Sequence, residues 1–366
     1  MKRILILTAS TGAGHNQVAN TLEHLLNDLH NVKRVDFIKE ESKILEMIIE
    51  EGYDILATKF PELYGKLYQI SNRNNISSTF HQLMTQAVYR RTRRIIEEFN
   101  PDLIIGTHTF AVNIVDKLKE NGHYKNFFLS VVTDFEAHYG YISKNVDLYI
   151  TGSKYTNQSL IDKGISKNNV RNLGIPINPI FYKSSFSRAS NSIFTILIMG
   201  GSMGLDPMKD AVEELLDLDC KLRLIIICGN NETLKFELQK LASPHKKSKI
   251  IDVLGYVTNV HELMDTADLI ITKPGGLTVT EAIVKNLPIV VPYFIPGQEK
   301  ENLDYLTLAN IAIAVSDVKM IGKTISFLMD HPHRLEQMRK CISYEASSYS
   351  LNHVISTITN ILKNQS

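Results

Sequence analysis

Short apolar runs alternate along the chain with longer stretches of helical periodicity. The first run, residues 4–7, is wholly apolar and ends in a Ser-Thr-Gly-Ala-Gly turn, which is typical of a strand buried on both faces of a parallel sheet. A helical pattern over residues 17–29 follows it. Further strand-like runs lie at residues 35–37, 103–105, 127–132, 148–150 and 170–173. Strands that alternate with helices predict a doubly wound α/β domain.

Prolines and serines interrupt this alternation before it starts again. Pro176 and Pro179 are followed by five serines between Ser184 and Ser192, a composition typical of a linker. The second half has strand-like runs at residues 194–199, 222–227, 250–254, 269–272, 289–291 and 311–315. We therefore predict two doubly wound Rossmann-like α/β domains, residues 1–178 and 193–350, whose sheets face a central cleft. A last helix within residues 351–366 is expected to pack back on the first domain.

Composition and charge narrow the functional classes. The chain has 366 residues, more than one hydrophobic core usually serves. Its formal net charge of +1 argues against a nucleic-acid-binding protein that relies on bulk electrostatics. The three cysteines have no metal-ligand spacing, which indicates free thiols in a reducing, cytoplasmic compartment. No apolar run reaches the roughly 18 residues of a membrane helix, so we expect only peripheral membrane contact.

The turn after the first strand carries the first candidate chemistry. Its glycines, including Gly14, allow a tight turn whose amides can hold an anion or a polar sugar. The turn lacks the full dinucleotide-binding pattern, and Asp36 is the only candidate for a ribose ligand. His15 at its end could take a proton from an acceptor hydroxyl. A purely local packing role for His15 is the alternative.

Two glycine-rich turns in the second domain are candidates for holding a diphosphate. Gly201 and Ser202 follow its first strand, where a small-residue turn needed only for packing is the alternative. The segment from Lys273 to Glu281 ends a strand in Pro-Gly-Gly and opens a helix. Amides at Gly275 and Gly276 could meet phosphate oxygens. Glu281 could accept two hydrogen bonds from a ribose diol, or could only complement the helix dipole.

A polar loop, residues 296–302, follows a later strand of the second domain. Gln298 and Glu299 in this loop have side chains that suit sugar hydroxyls. A loop of this composition can also be simply solvated.

Taken together, six segments resemble the diacylglycerol glycosyltransferases, bacterial processive β-glucosyltransferases and plant monogalactosyldiacylglycerol synthases related to the N-acetylglucosaminyltransferase that makes lipid II. The segments are residues 10–15, 133–135, 174–177, 200–204, 273–281 and 296–302. The resemblance implies a GT-B fold and a UDP-sugar donor transferred with inversion, without a metal or other cofactor.

The resemblance also implies individual roles. His15 matches the family's proposed base, and Asp134 would orient His15 or the acceptor, unless Asp134 is itself the base. Helix amides and Lys273 would stabilise the leaving diphosphate. The donor is expected to meet Gly201, Ser202, Gly276 and Glu281, with backbone near Tyr256 and Val257 for the uracil and Gln298 and Glu299 for the sugar.

One departure from the family concerns the acceptor. Relatives carry a tryptophan a few residues after the Thr-Asp turn, whereas this chain has no tryptophan and has Tyr141 there, preceded by His138 and Tyr139. This leaves open the acceptor and how firmly its lipid is held.

A basic and aromatic region precedes the predicted strand at residues 103–105. Between residues 59 and 94, seven basic residues stand against one acidic residue, an excess of six charges: Lys59, Lys66, Arg73, Arg90, Arg91, Arg93 and Arg94 against Glu62. Interleaved aromatic residues suit an anionic membrane surface. A solvated helix face with a core-facing aromatic stripe is the alternative.

The sequence thus predicts an enzyme on the inner face of the cell membrane that moves glucose or galactose from UDP to diacylglycerol. Two alternatives stay open: transfer to another lipid-linked or small acceptor, and a non-catalytic sensor of UDP-sugars. The hexose, the number of sugars added and the oligomeric state stay open as well.

Overall fold

The computed structural model describes residues 1–10, 13–37, 60–72, 79–183, 193–200, 206–247 and 249–364. The chain forms two compact units. Unit 1 comprises Met1–Asn178, Pro296–Gln298 and Ser348–Ser366, and unit 2 comprises Pro179–Ile295 and Glu299–Ser347.

Unit 1 is built on a parallel sheet of six strands. They are β1 (Arg3–Thr8), β2 (Asn31–Asp36), β3 (Leu103–Gly106), β4 (Phe127–Val131), β5 (Leu148–Thr151) and β6 (Val170–Asn172), in the order β2-β1-β3-β4-β5-β6. β1 pairs with both β2 and β3, so the sheet grows first to one side of β1 and then to the other. Loops that leave β1 and β3 therefore flank a topological switch point.

Helices cover this sheet because the strands are apolar on both faces. They are α1 (Ala13–Leu26), α2 (Pro61–Ser71), α3 (Thr79–Phe99), α4 (Thr109–Glu120) and α5 (Lys154–Asp162). Leu5 and Leu7 of β1 are fully buried and join residues of α3 and α4 in one core. His108 caps α4, since its Nδ1 accepts a hydrogen bond from the Phe110 amide at 3.0 Å.

Unit 2 repeats the architecture with the Rossmann strand order. Its strands are β7 (Thr195–Met199), β8 (Arg223–Ile227), β9 (Ile250–Leu254), β10 (Leu269–Thr272), β11 (Ile289–Val291) and β12 (Ala312–Ala314), in the order β12-β11-β10-β7-β8-β9. β7 pairs with β8 on one side and β10 on the other. The switch point therefore lies between the loops that follow β7 and β10.

Seven helices are described between these strands and after them. They are α6 (Asp206–Leu216), α7 (Glu232–Ala242), α8 (Val260–Thr266), α9 (Gly276–Val284), α10 (Gln298–Leu308), α11 (Ile321–Asp330) and α12 (Pro332–Ala346). The aliphatic core packs α6, α7, α11 and α12 around the sheet.

The end of the chain belongs to unit 1. Helix α13 (Leu351–Asn364) follows Tyr349, whose hydroxyl donates a hydrogen bond to the carbonyl of Gly152 at 2.6 Å. Gly174 has φ of +85°, and a β-carbon there would lie 2.6 Å from the Tyr349 ring. Only glycine therefore fits beneath this ring.

The structure confirms the predicted α/β fold of two doubly wound sheets, and each predicted apolar run overlaps a strand. The largest difference is at β2, which begins at Asn31 rather than at residue 35. Its first four residues are polar or half-exposed because β2 is an edge strand, so they lack the apolar signature of a buried strand.

Candidate active site

His15 stands at the switch point of the unit 1 sheet. It lies in the first turn of α1, directly after Gly14 and close behind the end of β1. Its ring reaches the residues that follow β3, since Nδ1 is 2.8 Å from the carbonyl oxygen of Thr107. The His108 ring packs edge-on against it, with centroids 4.5 Å apart. His15 therefore lies where open α/β sheets bind their ligands.

The contact with Thr107 fixes the tautomer of His15. A carbonyl oxygen only accepts hydrogen bonds, so the ring nitrogen 2.8 Å from it carries the proton. In the neutral ring, Nε2 then keeps its lone pair. Burial lowers the pKa of His15 to about 4, although the hydrogen bond to Thr107 acts in the opposite direction. Near pH 7 the ring is neutral and Nε2 can accept a proton.

Two further histidines near His15 are neutral as well. Burial lowers the pKa of His108 well below its usual value, and neighbouring His15 and His138 act in the same direction. Burial, followed by the charge of Lys163, lowers the pKa of His138 to about 4. Each uses Nδ1 to accept a backbone amide, His138 from Gly140 at 2.9 Å, so each carries its proton on Nε2.

Asp134 is buried but does not orient the His15 ring, in contrast to one of its predicted roles. The hydrogen bonds of His15 go to Thr107 and Thr133. Asp134 instead accepts a hydrogen bond from the amide nitrogen of Gln298, which belongs to the same unit. A role for Asp134 towards the acceptor stays a prediction, as does one for Gln298 towards the sugar.

Tyr141 is part of the core of unit 1. Only 1% of its surface is exposed, and its hydroxyl lies 3.2 Å from Oγ1 of Thr133. The position at which relatives carry a tryptophan is therefore filled by a buried ring in this chain. Half-buried His138 and Tyr139 precede it.

The carboxylate of Asp36 is hydrogen-bonded to other residues of unit 1. Its carboxylate accepts hydrogen bonds from the Ser10 amide at 3.2 Å, from the Ser10 hydroxyl and from the Asn16 amide at 3.1 Å. Thr8 completes the network by donating to Asn16 at 3.1 Å. With its oxygens turned towards the loop, Asp36 is poorly placed to hold a ribose.

In unit 2, the start of α9 is open and uncapped. The first intrahelical hydrogen bond runs from the Val279 amide to the Gly275 carbonyl at 3.0 Å, and no side chain caps the helix. The amides of Gly276, Leu277 and Thr278 therefore precede the helical ladder. A β-carbon at Gly275 would meet no heavy atom within 4 Å, so there is room for an anion beside these amides.

Glu281 lies on the second turn of the same helix and has no hydrogen bond or ion pair to any described residue. Burial raises the pKa of Glu281 to about 8. A half-buried carboxyl without a protein partner is costly. Such a group is suited to a ligand that donates hydrogen bonds to it.

Lys273 and Glu299 form an ion pair that the sequence analysis did not predict. Nζ of Lys273 is 2.7 Å from Oε1 of Glu299, and Oε2 accepts the Ile295 amide at 2.9 Å. Buried Asn302 also donates to the carbonyl of Pro274 at 3.0 Å. These bonds fix the loop before α10 against the start of α9. A contact of Glu299 with a sugar stays a prediction.

The structure gives less detail on the other residues that were predicted to bind the sugar donor. Gly201 and Ser202 lie outside the described residues. Tyr256 and Val257 follow β9, and the Tyr256 ring is 68% exposed. Their backbone groups stay candidates for the uracil.

Part of the basic region lies within the described residues. Arg90, Arg93 and Arg94 are exposed on α3, and Arg93 pairs with Glu97 at 2.6 Å. Phe60 is 55% exposed, whereas Tyr68 packs within unit 1, with its ring 5.1 Å from that of His138. Lys59 and Arg73 are outside the described residues.

The described part of the chain contains neither a membrane-crossing helix nor a candidate metal site. Within those ranges, no helix has the length and apolar character needed to cross a membrane. The same residues contain no group of three or more His, Cys, Asp or Glu side chains that could hold a metal ion.

Two family models match the chain. The model described as monogalactosyldiacylglycerol (MGDG) synthase matches residues 15–177. The model described as the glycosyltransferase family 28 C-terminal domain matches residues 195–354.

Curated relatives match over the full length. The processive diacylglycerol β-glucosyltransferase of Bacillus pumilus is 30% identical over 377 residues, covering 100% of this chain and 95% of that protein. The protein of the same name from Bacillus subtilis is 30% identical and covers 93% of this chain and 90% of its own length.

Solved structures share the fold at low identity. The crystal structure of Acinetobacter baumannii MurG has a TM-score of 0.69 at 15% identity, covering 98% of this chain and 100% of MurG. Anabaena HepE in complex with UDP-glucose has a TM-score of 0.58 at 12% identity, covering 100% of both chains. These likenesses support the two-domain GT-B architecture.

Proposed function

The chain belongs to the diacylglycerol glycosyltransferases of family 28, and from that membership we propose that it transfers glucose or galactose from a UDP-sugar to diacylglycerol. One observation carries the donor class. An uncapped helix start and a carboxyl with no partner among the described residues lie on the same helix, α9. A diphosphate suits the first and the ribose diol of a nucleotide suits the second.

The donor is proposed to lie on unit 2. Amides of Gly276, Leu277 and Thr278 hold diphosphate oxygens, and Glu281 accepts two ribose hydroxyls. Lys273 is paired with Glu299 at 2.7 Å, so most of the stabilisation of the leaving UDP comes from the helix amides. The backbone at Tyr256 and Val257 serves the uracil, and Glu299 serves the sugar.

Proton removal is proposed to occur on unit 1. The acceptor oxygen forms a bond to the anomeric carbon while the bond from that carbon to the UDP oxygen breaks. The proton of the acceptor hydroxyl passes to Nε2 of His15, the nitrogen that the Thr107 contact leaves without a proton. Attack on the face opposite UDP inverts the anomeric carbon. This scheme uses no metal.

The identities of the acceptor and of the hexose are inferred from the relatives. The curated relatives are named as diacylglycerol β-glucosyltransferases, which favours glucose, and one family model is described as a galactolipid synthase, which favours galactose. A β-linked product from an α-linked UDP-sugar agrees with inversion.

Incubation with labelled UDP-glucose, UDP-galactose and UDP-N-acetylglucosamine tests the proposal. Each donor is supplied with diacylglycerol vesicles or with soluble acceptors, and the products are separated by chromatography. We expect a β-linked hexosyl diacylglycerol from one of the first two donors, with the linkage read by NMR. Product from other acceptors alone would contradict the acceptor, and donor binding without product would indicate a UDP-sugar sensor.

Contact with the cytoplasmic face of the membrane is proposed to use the exposed arginines of α3. Each basic residue near an anionic surface contributes about 1 kcal/mol. Changing Arg90, Arg93 and Arg94 to Glu should weaken binding to anionic vesicles and leave affinity for UDP-glucose unchanged. A matched variant with the same three residues changed to Lys should bind vesicles normally. Equal vesicle binding by the Glu and Lys variants would contradict docking through α3.

A further inference from the structure

A hydroxyl stands between the His15 ring and a buried phenol. Oγ1 of Thr133 is 3.0 Å from Nδ1 of His15 and 3.2 Å from the hydroxyl of Tyr141. Thr133 is 6% exposed and Tyr141 is 1% exposed. The three side chains thus form one internal line that begins in the core and ends at the ring.

Thr133 and Thr107 contact the same ring nitrogen. The Thr107 carbonyl only accepts hydrogen bonds, so Nδ1 carries the proton and is shared between two oxygens. A ring with two acceptors at Nδ1 resists both rotation and exchange of its proton to Nε2. When Nε2 takes a proton, the positive charge strengthens both hydrogen bonds.

The Tyr141 hydroxyl is hydrogen-bonded to Thr133 through the backbone as well as the side chain of that residue. Among the described residues, Thr133 is the only one with which this hydroxyl forms a hydrogen bond. The rest of the side chain is held independently, since the ring lies in the core and the Tyr141 carbonyl accepts the Tyr149 hydroxyl at 2.8 Å. The phenol can therefore fix the orientation of the Thr133 hydroxyl. Without the Tyr141 hydroxyl, the Thr133 hydroxyl would be free to rotate.

We propose that Thr133 and Tyr141 are positioning residues that hold the His15 ring with its proton on Nδ1, so that Nε2 faces the acceptor as the base. The inference rests on the proposed function and extends it to residues that do not touch the substrates.

Kinetics of four variants test the proposal. Thr133→Val removes the hydroxyl at nearly constant size and should lower kcat about 10-fold, and Tyr141→Phe should lower it about 3- to 10-fold, the usual effect of one hydrogen bond. The KM for the UDP-sugar should stay within about twofold. Thr133→Ser keeps a hydroxyl and should restore kcat. Tyr124→Phe is the matched control, because this buried phenol donates to the Phe127 carbonyl at 2.8 Å, away from His15.

NMR of enzyme labelled with 15N-histidine reads the tautomer directly. The His15 signals are identified by their absence from the spectrum of His15→Ala. Wild type should show the proton on Nδ1 with narrow ring signals. Thr133→Val keeps the Thr107 carbonyl and therefore this tautomer, but its His15 signals should be broadened by ring motion. Wild-type kcat in both Thr133→Val and Tyr141→Phe, or narrow His15 ring signals in a slow Thr133→Val, would overturn the inference.

The outcomes separate the inference from the proposed function. If His15→Ala keeps full turnover, His15 is not the base and the proposed function loses its proton acceptor, whatever the tautomer. If His15→Ala is inactive while the positioning variants behave as wild type, only the inference fails. Should Thr133→Val fold poorly by circular dichroism, Tyr141→Phe, which lacks a single oxygen, decides the question with the same two measurements.

Discussion

The switch points of the two sheets share a topology but differ in whether their hydrogen-bonding groups are already satisfied by the protein. In unit 1, side chains from the ends of β1 and β2 and from the start of α1 satisfy one another, namely Ser10, Asp36 and Asn16. In unit 2, the first turns of α9 leave three amides and the Glu281 carboxyl without a partner in the part of the chain that the structure describes. One site is a closed network around a neutral ring, and the other is an open set of hydrogen-bonding groups.

This difference shows how one architecture can serve two chemical tasks. A base must be held in one orientation and one tautomer, which requires satisfied neighbours. A binding site for a diphosphate and a diol must instead keep donors and acceptors unpaired until the ligand arrives. The following changes test this division of labour.

The largest effect is expected for His15→Ala. Removing a general base should lower turnover about 100-fold or more, while affinity for UDP-glucose, measured by isothermal titration calorimetry, should not change. His353→Ala, at an exposed position of α13, is the control. A loss of donor affinity in His15→Ala would mean that unit 1 also holds the nucleotide.

Glu281→Gln should affect the other site alone. The amide can accept only one of two charge-assisted hydrogen bonds, so affinity for UDP-glucose should fall about 10- to 100-fold. Titration calorimetry measures it, and Glu262→Gln, exposed on α8 of the same unit, serves as control. Unchanged affinity would remove Glu281 from the donor site.

A pH dependence should be confined to the unit 2 site. Because the pKa of Glu281 is raised to about 8, the empty site is mostly protonated near pH 7. The diol binds best to the ionised form, so affinity for UDP-glucose should rise as pH increases from about 6 to 8.5, by at most about tenfold per unit. Glu281→Gln should abolish the slope. A wild-type affinity that stays flat with pH would contradict an ionised Glu281 in the complex.

The same shift lowers the stability of the folded enzyme at alkaline pH. The folded state keeps a proton on Glu281 that the unfolded chain loses above its ordinary pKa of 4.5. The contribution of Glu281 to stability therefore decreases as pH rises from about 4.5 to about 8. The Tm of Glu281→Gln at about pH 9 should exceed that of wild type. An equal or lower Tm would argue against a strained carboxyl.

The smallest effect on substrate binding is expected for Asp36→Ala. Loss of a buried acceptor should lower the free energy of unfolding by about 1–3 kcal/mol, measured by denaturant titration, without changing affinity for UDP-glucose. Asp28→Ala, exposed after α1, is the control. Weaker donor binding in Asp36→Ala would return Asp36 to the role of a ribose ligand.

Local sequence patterns predicted most of the fold and part of the candidate site. Buried strands are apolar, so their positions follow from the sequence, and the polar start of β2 is the understandable exception. His15 and Glu281 were found because each lies at a turn between a strand and a helix. Thr107 and His108 lie directly after β3, a position that the same rule could have indicated.

Contacts between distant segments could not be predicted in this way. Lys273 and Glu299 are 26 residues apart, and Thr133 and His15 are 118 residues apart. Both pairs depend on which strands become neighbours. Burial of Tyr141 is a further case, because the sequence shows an aromatic residue near a polar turn but not the side to which it points.

The return of Ser348–Ser366 to unit 1 has a consequence for biosynthesis. The ribosome synthesises unit 2 before it synthesises Tyr349 and α13. Until then, the surface around Gly174 in the nascent unit 1 stays uncovered. A fragment that stops at residue 178 would be left permanently in this condition. Separate expression of the two halves therefore requires that the last helix be grafted onto the first.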